Sequence, residues 1–126
     1  MPTKLLIVDD EIPFVRSLSA HLQRCGYEVL VAFEARQAIQ AINDEHPALA
    51  LVDLKLPGLG GEALVRQVKQ ISPQTKVIVL TAYRDEGLKE AALRQAGVAG
   101  YLYKPLKSLL ELERHIEEVL GSPPRL

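Results

Sequence analysis

Asp9 and Asp10 follow directly on the apolar run Leu5-Leu6-Ile7-Val8, and Asp53 closes a second run, Leu49-Ala50-Leu51-Val52. If both runs are buried parallel strands, their carboxyl ends open on one rim of the sheet, where open α/β folds place their sites. At roughly 5 Å and an effective dielectric of about 20, each pair of carboxylates repels by about 3 kcal/mol, so the cluster must protonate, attract cations or bind metal. A hard, oxygen-preferring dication suits it best. Thr81 and Lys104, the latter followed by Pro105, close two further apolar runs and add a hydroxyl and an ammonium to the same rim. Taken singly, a strand-end Asp or Thr is often no more than the cap of a following helix, and a strand-end lysine is usually solvated. Gathered on one rim, these residues make a site.

The elements that must position them are legible in the hydrophobic pattern. Short apolar runs at 4–8, 28–32, 49–52, 76–80 and 100–103 are separated by segments of helical period. Five strands alternating with five helices predict an α/β fold with a parallel sheet. Runs apolar on both sides, such as Val77-Ile78-Val79-Leu80, predict strands covered by helices on both faces, hence a doubly wound sheet. The helices are expected at about 13–25, with Val15, Leu18 and Leu22 inward and Gly26 ending it; at 35–44; at 62–71, with Leu64, Val68 and Ile71 inward; at 86–96, with Leu88 and Leu93; and at 108–120. The last is expected to start at a Ser108 cap and to bury Leu109, Leu112, Ile116 and Leu120. One domain, residues 1–121, is expected, with 122–126 a tail or a truncated linker.

Composition excludes several classes. Fifteen basic and sixteen acidic residues are intermixed, for a net charge of -1. That gives no field suited to direct nucleic-acid binding or to an anionic membrane. No secretory leader pattern and no apolar stretch of membrane-spanning length is present, so a cytoplasmic location is the expectation. The single cysteine, Cys25, reads as a small buried hydrophobe without a role.

The pair Asp9-Asp10, the stretch Asp53-Leu54-Lys55-Leu56-Pro57-Gly58-Leu59-Gly60-Gly61, the pair Thr81-Ala82 and the pair Lys104-Pro105 resemble, in order and spacing, the receiver domain of two-component response regulators. The resemblance spans about residues 4–120. It implies a flavodoxin-like strand order 2-1-3-4-5 and a signalling phosphoacceptor rather than an enzyme, capable only of self-catalysed phosphorylation and slow autodephosphorylation. By the same resemblance Asp53 accepts the phosphoryl group, Asp9 and Asp10 hold Mg2+ or Mn2+, Thr81 is the switch hydroxyl and Lys104 pairs with the phosphate. Asp10 and Asp53 are expected to touch the ion directly and Asp9 largely through water, with the backbone carbonyl of Lys55 as a further ligand. Tyr101 is the implied switch aromatic, turning inward when Thr81 moves, and the Lys104-Pro105 bond is implied to be cis. Tyr103, on the same side of the strand, is expected to pack with a wet hydroxyl. The family's usual methionine before the proline is here Leu56, a volume-conserving change. Implied partners are a histidine kinase or histidine phosphotransfer protein as donor, and an output domain or downstream protein as recipient of the signal.

Two rivals deserve weight. A phosphatase of the haloacid dehalogenase type also uses an Asp nucleophile with Mg2+, but it resembles Asp-x-Asp, and here Lys55 stands where its acid belongs. A nucleotide binder would want a Gly-x-Gly-x-x-Gly loop after the first strand, where this chain has acids. Within the receiver reading, a phosphorelay shuttle and the receiver of a larger transcription regulator stay open. Lys55 and Tyr83 resemble the sporulation phosphorelay type, and neither side chain accepts a proton from an attacking water at neutral pH. They are expected to slow dephosphorylation, unless both simply face solvent or a partner.

Overall fold

The computed structural model describes residues 2–58 and 60–121; the expected tail, 122–126, lies outside the described residues. Strands and helices alternate as β1 (Lys4–Val8), α1 (Ile12–Arg24), β2 (Glu28–Ala32), α2 (Ala35–Glu45), β3 (Leu49–Val52), α3 (Gly61–Ile71), β4 (Lys76–Thr81), α4 (Leu88–Gln95), β5 (Gly100–Tyr103) and α5 (Leu109–Leu120). All pairings are parallel, in the order β2-β1-β3-β4-β5.

Period two in the strands divides the core. Leu6, Val8, Ala50, Val52, Val77, Val79 and Tyr101 pack with α2, α3 and α4. Leu5, Ile7, Leu49, Leu51, Ile78, Leu80 and Leu102 pack with α1 and α5. Adjacent residues thus serve opposite layers, which is why the runs are apolar throughout. Each fully buried aliphatic side chain contributes about 1.5–3 kcal/mol of burial energy.

Register levels the rim. Val8 aligns with Ala32 and with Val52, Val52 with Val79, and Thr81 with Tyr103. The ladder runs one residue beyond the strands: Asp9 N donates to Ala32 O at 3.1 Å, Asp53 N to Val8 O at 2.9 Å and Lys104 N to Thr81 O at 2.8 Å. The backbones of these polar residues are therefore fixed by the sheet.

Helix ends explain the departures from the sequence pattern. The α1 helix starts with proline in its first turn, where no amide donor is lost, and ends before Gly26 at φ 101°. Ile71 is 42% exposed, against expectation. It falls on the right stripe but is the last residue of α3, and the buried stripe ends a turn earlier at Val68. The α4 helix is shorter than its pattern, because Glu86 at φ 61° and Gly87 at φ 85° are left-handed and cannot belong to an α-helix. Leu88 consequently starts that helix and is exposed, while Leu93 is buried. In α5 the Ser108 hydroxyl accepts the Glu111 amide at 3.2 Å. Leu112 and Ile116 are buried there, whereas Leu109 and Leu120 are only half-buried.

Candidate functional site

Asp9, Asp53 and Thr81 are buried at the carboxyl ends of β1, β3 and β4. Each carboxylate is oriented by its own loop. Asp9 Oδ1 accepts the Glu11 amide at 3.0 Å, and Asp53 Oδ1 accepts the Lys55 amide at 3.0 Å. Such turns, closed by a side chain two residues back, are characteristic of aspartate. The second oxygens meet Lys104: its Nζ donates to Asp9 Oδ2 at 2.6 Å, to Glu11 Oε1 at 2.7 Å and to Asp53 Oδ2 at 3.0 Å. An ammonium has three donors, and all three are used. The Phe14 ring lies against it at 4.5 Å.

Burial raises the pKa of Asp9, and the neighbouring Asp53 charge adds to the rise, while the Lys104 hydrogen bond and the Glu11 amide oppose it. Burial alone would depress Lys104, but hydrogen bonds from Asp9, Glu11 and Asp53 outweigh it and hold the ammonium above its ordinary value. Lys104 therefore stays charged at neutral pH. With Asp9, Glu11 and Asp53 ionised, three negative charges face one positive charge, leaving two unbalanced. Their oxygens lie within 4.8 Å of one another. An all-oxygen donor set carrying that charge fits a hard dication.

The structure brings together Asp9, Asp53 and Lys104 as the strand ends predict, with Thr81 buried on the adjacent strand end, and adds Glu11, which the sequence reading did not single out. Asp10 is exposed and stands outside the group of Asp9, Glu11 and Asp53. Glu11 carries a signal only in hindsight, as an acid at the head of α1 two residues beyond Asp9. Lys55 is exposed, and so is Tyr83, whose amide donates to Thr81 Oγ1 at 3.2 Å and whose ring faces Lys89 Nζ at 5.6 Å. The Lys104–Pro105 peptide bond is cis.

Two expectations on β5 change. Tyr101 is already inside, 6% exposed and packed in the α2–α3–α4 layer, rather than waiting outside to turn in. Burial pushes its phenol up to about 12. Tyr103 does not leave its hydroxyl to water alone: it donates to Glu90 Oε1 at 3.2 Å, and the Arg84 guanidinium covers its ring at 4.4 Å. The same Arg84 donates to the Lys104 carbonyl at 3.2 Å.

Gly61 packs against the backbone of Asp53 and Leu54. A Cβ there would overlap the Asp53 carbonyl oxygen and Leu54 Cα. The loop after Asp53 can return into α3 this closely only without a side chain.

Known proteins resemble the chain in sequence and in fold. The sequence model of the response regulator receiver domain matches residues 5–117. The alkaline phosphatase synthesis transcriptional regulatory protein PhoP of Bacillus subtilis is 32% identical over 120 residues, covering 95% of this chain and 49% of that protein. The phosphate regulon transcriptional regulatory protein PhoB of Pseudomonas aeruginosa is 37% identical over 118 residues, covering 92% and 51%. The chain thus spans about half the length of these curated relatives. Among solved structures, a CheY-like receiver domain protein from Methanospirillum hungatei superposes with a TM-score of 0.90 at 32% identity, covering 96% of this chain and 95% of that one. NtrX from Brucella abortus gives 0.84 at 27% identity, with 26% of its chain covered. The haloacid dehalogenase alternative gains no support from these likenesses, and the side chain two residues beyond Asp53 is an exposed lysine. On sequence, topology and the strand-end residues together, the chain belongs to the receiver domains of two-component response regulators.

Proposed function

We propose that Asp53 is the phosphoryl acceptor of this receiver. The observation that carries the reading is a buried carboxylate with one oxygen fixed by the Lys55 amide and the other held by the Lys104 ammonium beside Asp9. An Asp53 oxygen attacks phosphorus while the bond to the donor's imidazole nitrogen breaks. Lys104 then pairs with a non-bridging oxygen of the transferred group, and the Thr81 hydroxyl donates to another. Asp9, Asp53 and the Lys55 carbonyl would hold Mg2+, or Mn2+, with Asp10 joining them from its exposed position next to Asp9; the ion's contribution is to neutralise charge developing on the phosphoryl oxygens. The donor is a histidine kinase or histidine phosphotransfer protein. The recipient is an output domain or a separate downstream protein.

Incubation with a small acyl phosphate and Mg2+ should add one phosphate by mass, and Asp53→Asn should remove most of it. Undiminished labelling of the variant would sink the assignment.

The switch reading follows the contacts of β5. When Thr81 engages the phosphoryl group, one new charge-assisted hydrogen bond, worth about 1.5–3 kcal/mol, biases the equilibrium between two arrangements. Because Tyr101 is already covered, the change is read through Arg84, Tyr103 and Glu90 on the surface of α4, β5 and α5 rather than through an inward swing. Lys55 and Tyr83 stand on the solvent side of the pocket and slow hydrolysis by occupying the water's approach. A Lys55→Asn, Tyr83→Glu double variant should lose phosphate about tenfold faster, a change of about 1.4 kcal/mol in barrier. An unchanged rate would mean both side chains merely face outward.

A further inference from the structure

A second group of ionisable side chains lies about 15 Å further along α1, by the helical rise from Glu11 to His21. His21 and Cys25, four residues apart, share one face at the end of α1, and Glu113 reaches them from α5. His21 Nε2 lies 2.9 Å from Glu113 Oε1, Cys25 Sγ donates to the same oxygen at 3.2 Å, and Sγ is 3.8 Å from Nε2. We infer that His21, Cys25 and Glu113 form a binding site for a borderline-soft divalent cation of the zinc class, with solvent in the fourth position.

The geometry is close to what such an ion requires. Around a tetrahedral zinc, with bonds of about 2.3 Å to sulfur and about 2.0–2.2 Å to nitrogen and oxygen, ligand atoms stand roughly 3.4–3.6 Å apart. The three observed separations, 2.9, 3.2 and 3.8 Å, straddle that range. Thiolate and carboxylate together balance the dication, and the imidazole adds a neutral donor. The side chains of His21 and Glu113 keep 24% and 17% of their surface, which leaves an entry path.

Tyr27, two residues past Cys25 and 6% exposed, has a hydroxyl with no hydrogen-bond partner, the one such buried side-chain atom among the described residues. Its phenol is pushed up to about 12, first by burial and then by the charges of Glu117, Cys25 and Glu113, so it sits within their field. The donors also differ in kind from the all-oxygen set of Asp9, Glu11 and Asp53, so hard and borderline cations would sort between the two places. On binding, the thiol proton leaves to solvent and the sulfur bonds the metal, tying α1 to α5.

Titration of the full chain with Co2+ in excess Mg2+, which occupies the acid pocket, tests this. One equivalent of Co2+ should produce a near-ultraviolet thiolate-to-cobalt band that added Zn2+ abolishes. Cys25→Ser should remove the band, and His21→Ala and Glu113→Gln should each weaken binding at least tenfold, with far-ultraviolet circular dichroism confirming that each variant is folded. Asp53→Asn should leave the band intact, which separates this site from the phosphoacceptor reading. Absence of the band at one equivalent, its loss in Asp53→Asn, or unchanged affinity in both His21→Ala and Glu113→Gln would overturn the proposal. The last two variants decide the matter even if Cys25→Ser fails to fold.

Discussion

Lys104 and Glu62 are electrostatic mirror images. One is a single cation among three carboxylates, Asp9, Glu11 and Asp53; the other is a single carboxylate between two cations, Lys89 at 2.7 Å and Arg66 at 3.5 Å. The distances are similar, but the surroundings are not. The Lys104 side chain is 11% exposed and two of its partners less so, whereas the Glu62 side chain is 36% exposed. Water screens the second set and long side chains lose entropy in making it, so it adjusts stability slightly. Lys104, Asp9 and Asp53 are shielded, and none of the three can be removed singly without leaving buried charge behind. Proximity of opposite charges is common to both; solvent decides which one governs the site.

The sharpest way to break that contrast is Lys104→Met, which keeps the stem and deletes the charge. With divalent ions chelated, urea unfolding should show a loss of about 3–5 kcal/mol, because Asp9 and Asp53 remain buried without their cation. A loss below about 1 kcal/mol, the scale of an exposed pair, would erase the distinction. Glu11→Gln tests the same ammonium from its wet side. Although Glu11 Oε1 is 2.7 Å from Nζ, its side chain is 61% exposed. Its removal should cost only about 0.2–1 kcal/mol, and a cost matching Lys104→Met would show that burial is not what separates the two sets.

The smallest effect belongs to Glu62→Gln. The Lys89 hydrogen bond lowers the Glu62 pKa, burial opposes it, and Arg66 adds a smaller lowering. A carboxylate lowered in the folded state stabilises above its ordinary pKa, and that stabilisation is lost as pH falls through the lowered value. Wild type and variant should therefore differ by less than about 1 kcal/mol at neutral pH and converge in acid or at high salt. Curves that stay parallel down to acid pH would assign the difference to packing instead of charge.

Much of the fold and of the site is legible in the sequence. Apolar runs ending in Asp9, Asp53, Thr81 and Lys104 are visible as text, and parallel pairing carries their ends to one rim without further information. What was not legible depends on where elements stop or what they meet. Ile71 has the right periodicity, yet the helix ends with it. Tyr101 has the right alternation, but its rotamer depends on how α4 and β5 pack. Glu11 differs from Asp10 by one position in a loop, and only the loop's path decides which carboxylate reaches Lys104. By sequence Cys25 is a simple hydrophobe, because Glu113, 88 residues away, cannot be associated with it by spacing.

Gly61 has a consequence for heredity. Every amino acid that can replace it brings a Cβ into the space of the Asp53 carbonyl and Leu54 Cα. A single nucleotide change in its codon that alters the amino acid is thus expected to disable signalling while leaving every reactive group encoded intact. Defective alleles of this gene should accumulate at a position that has no functional group at all.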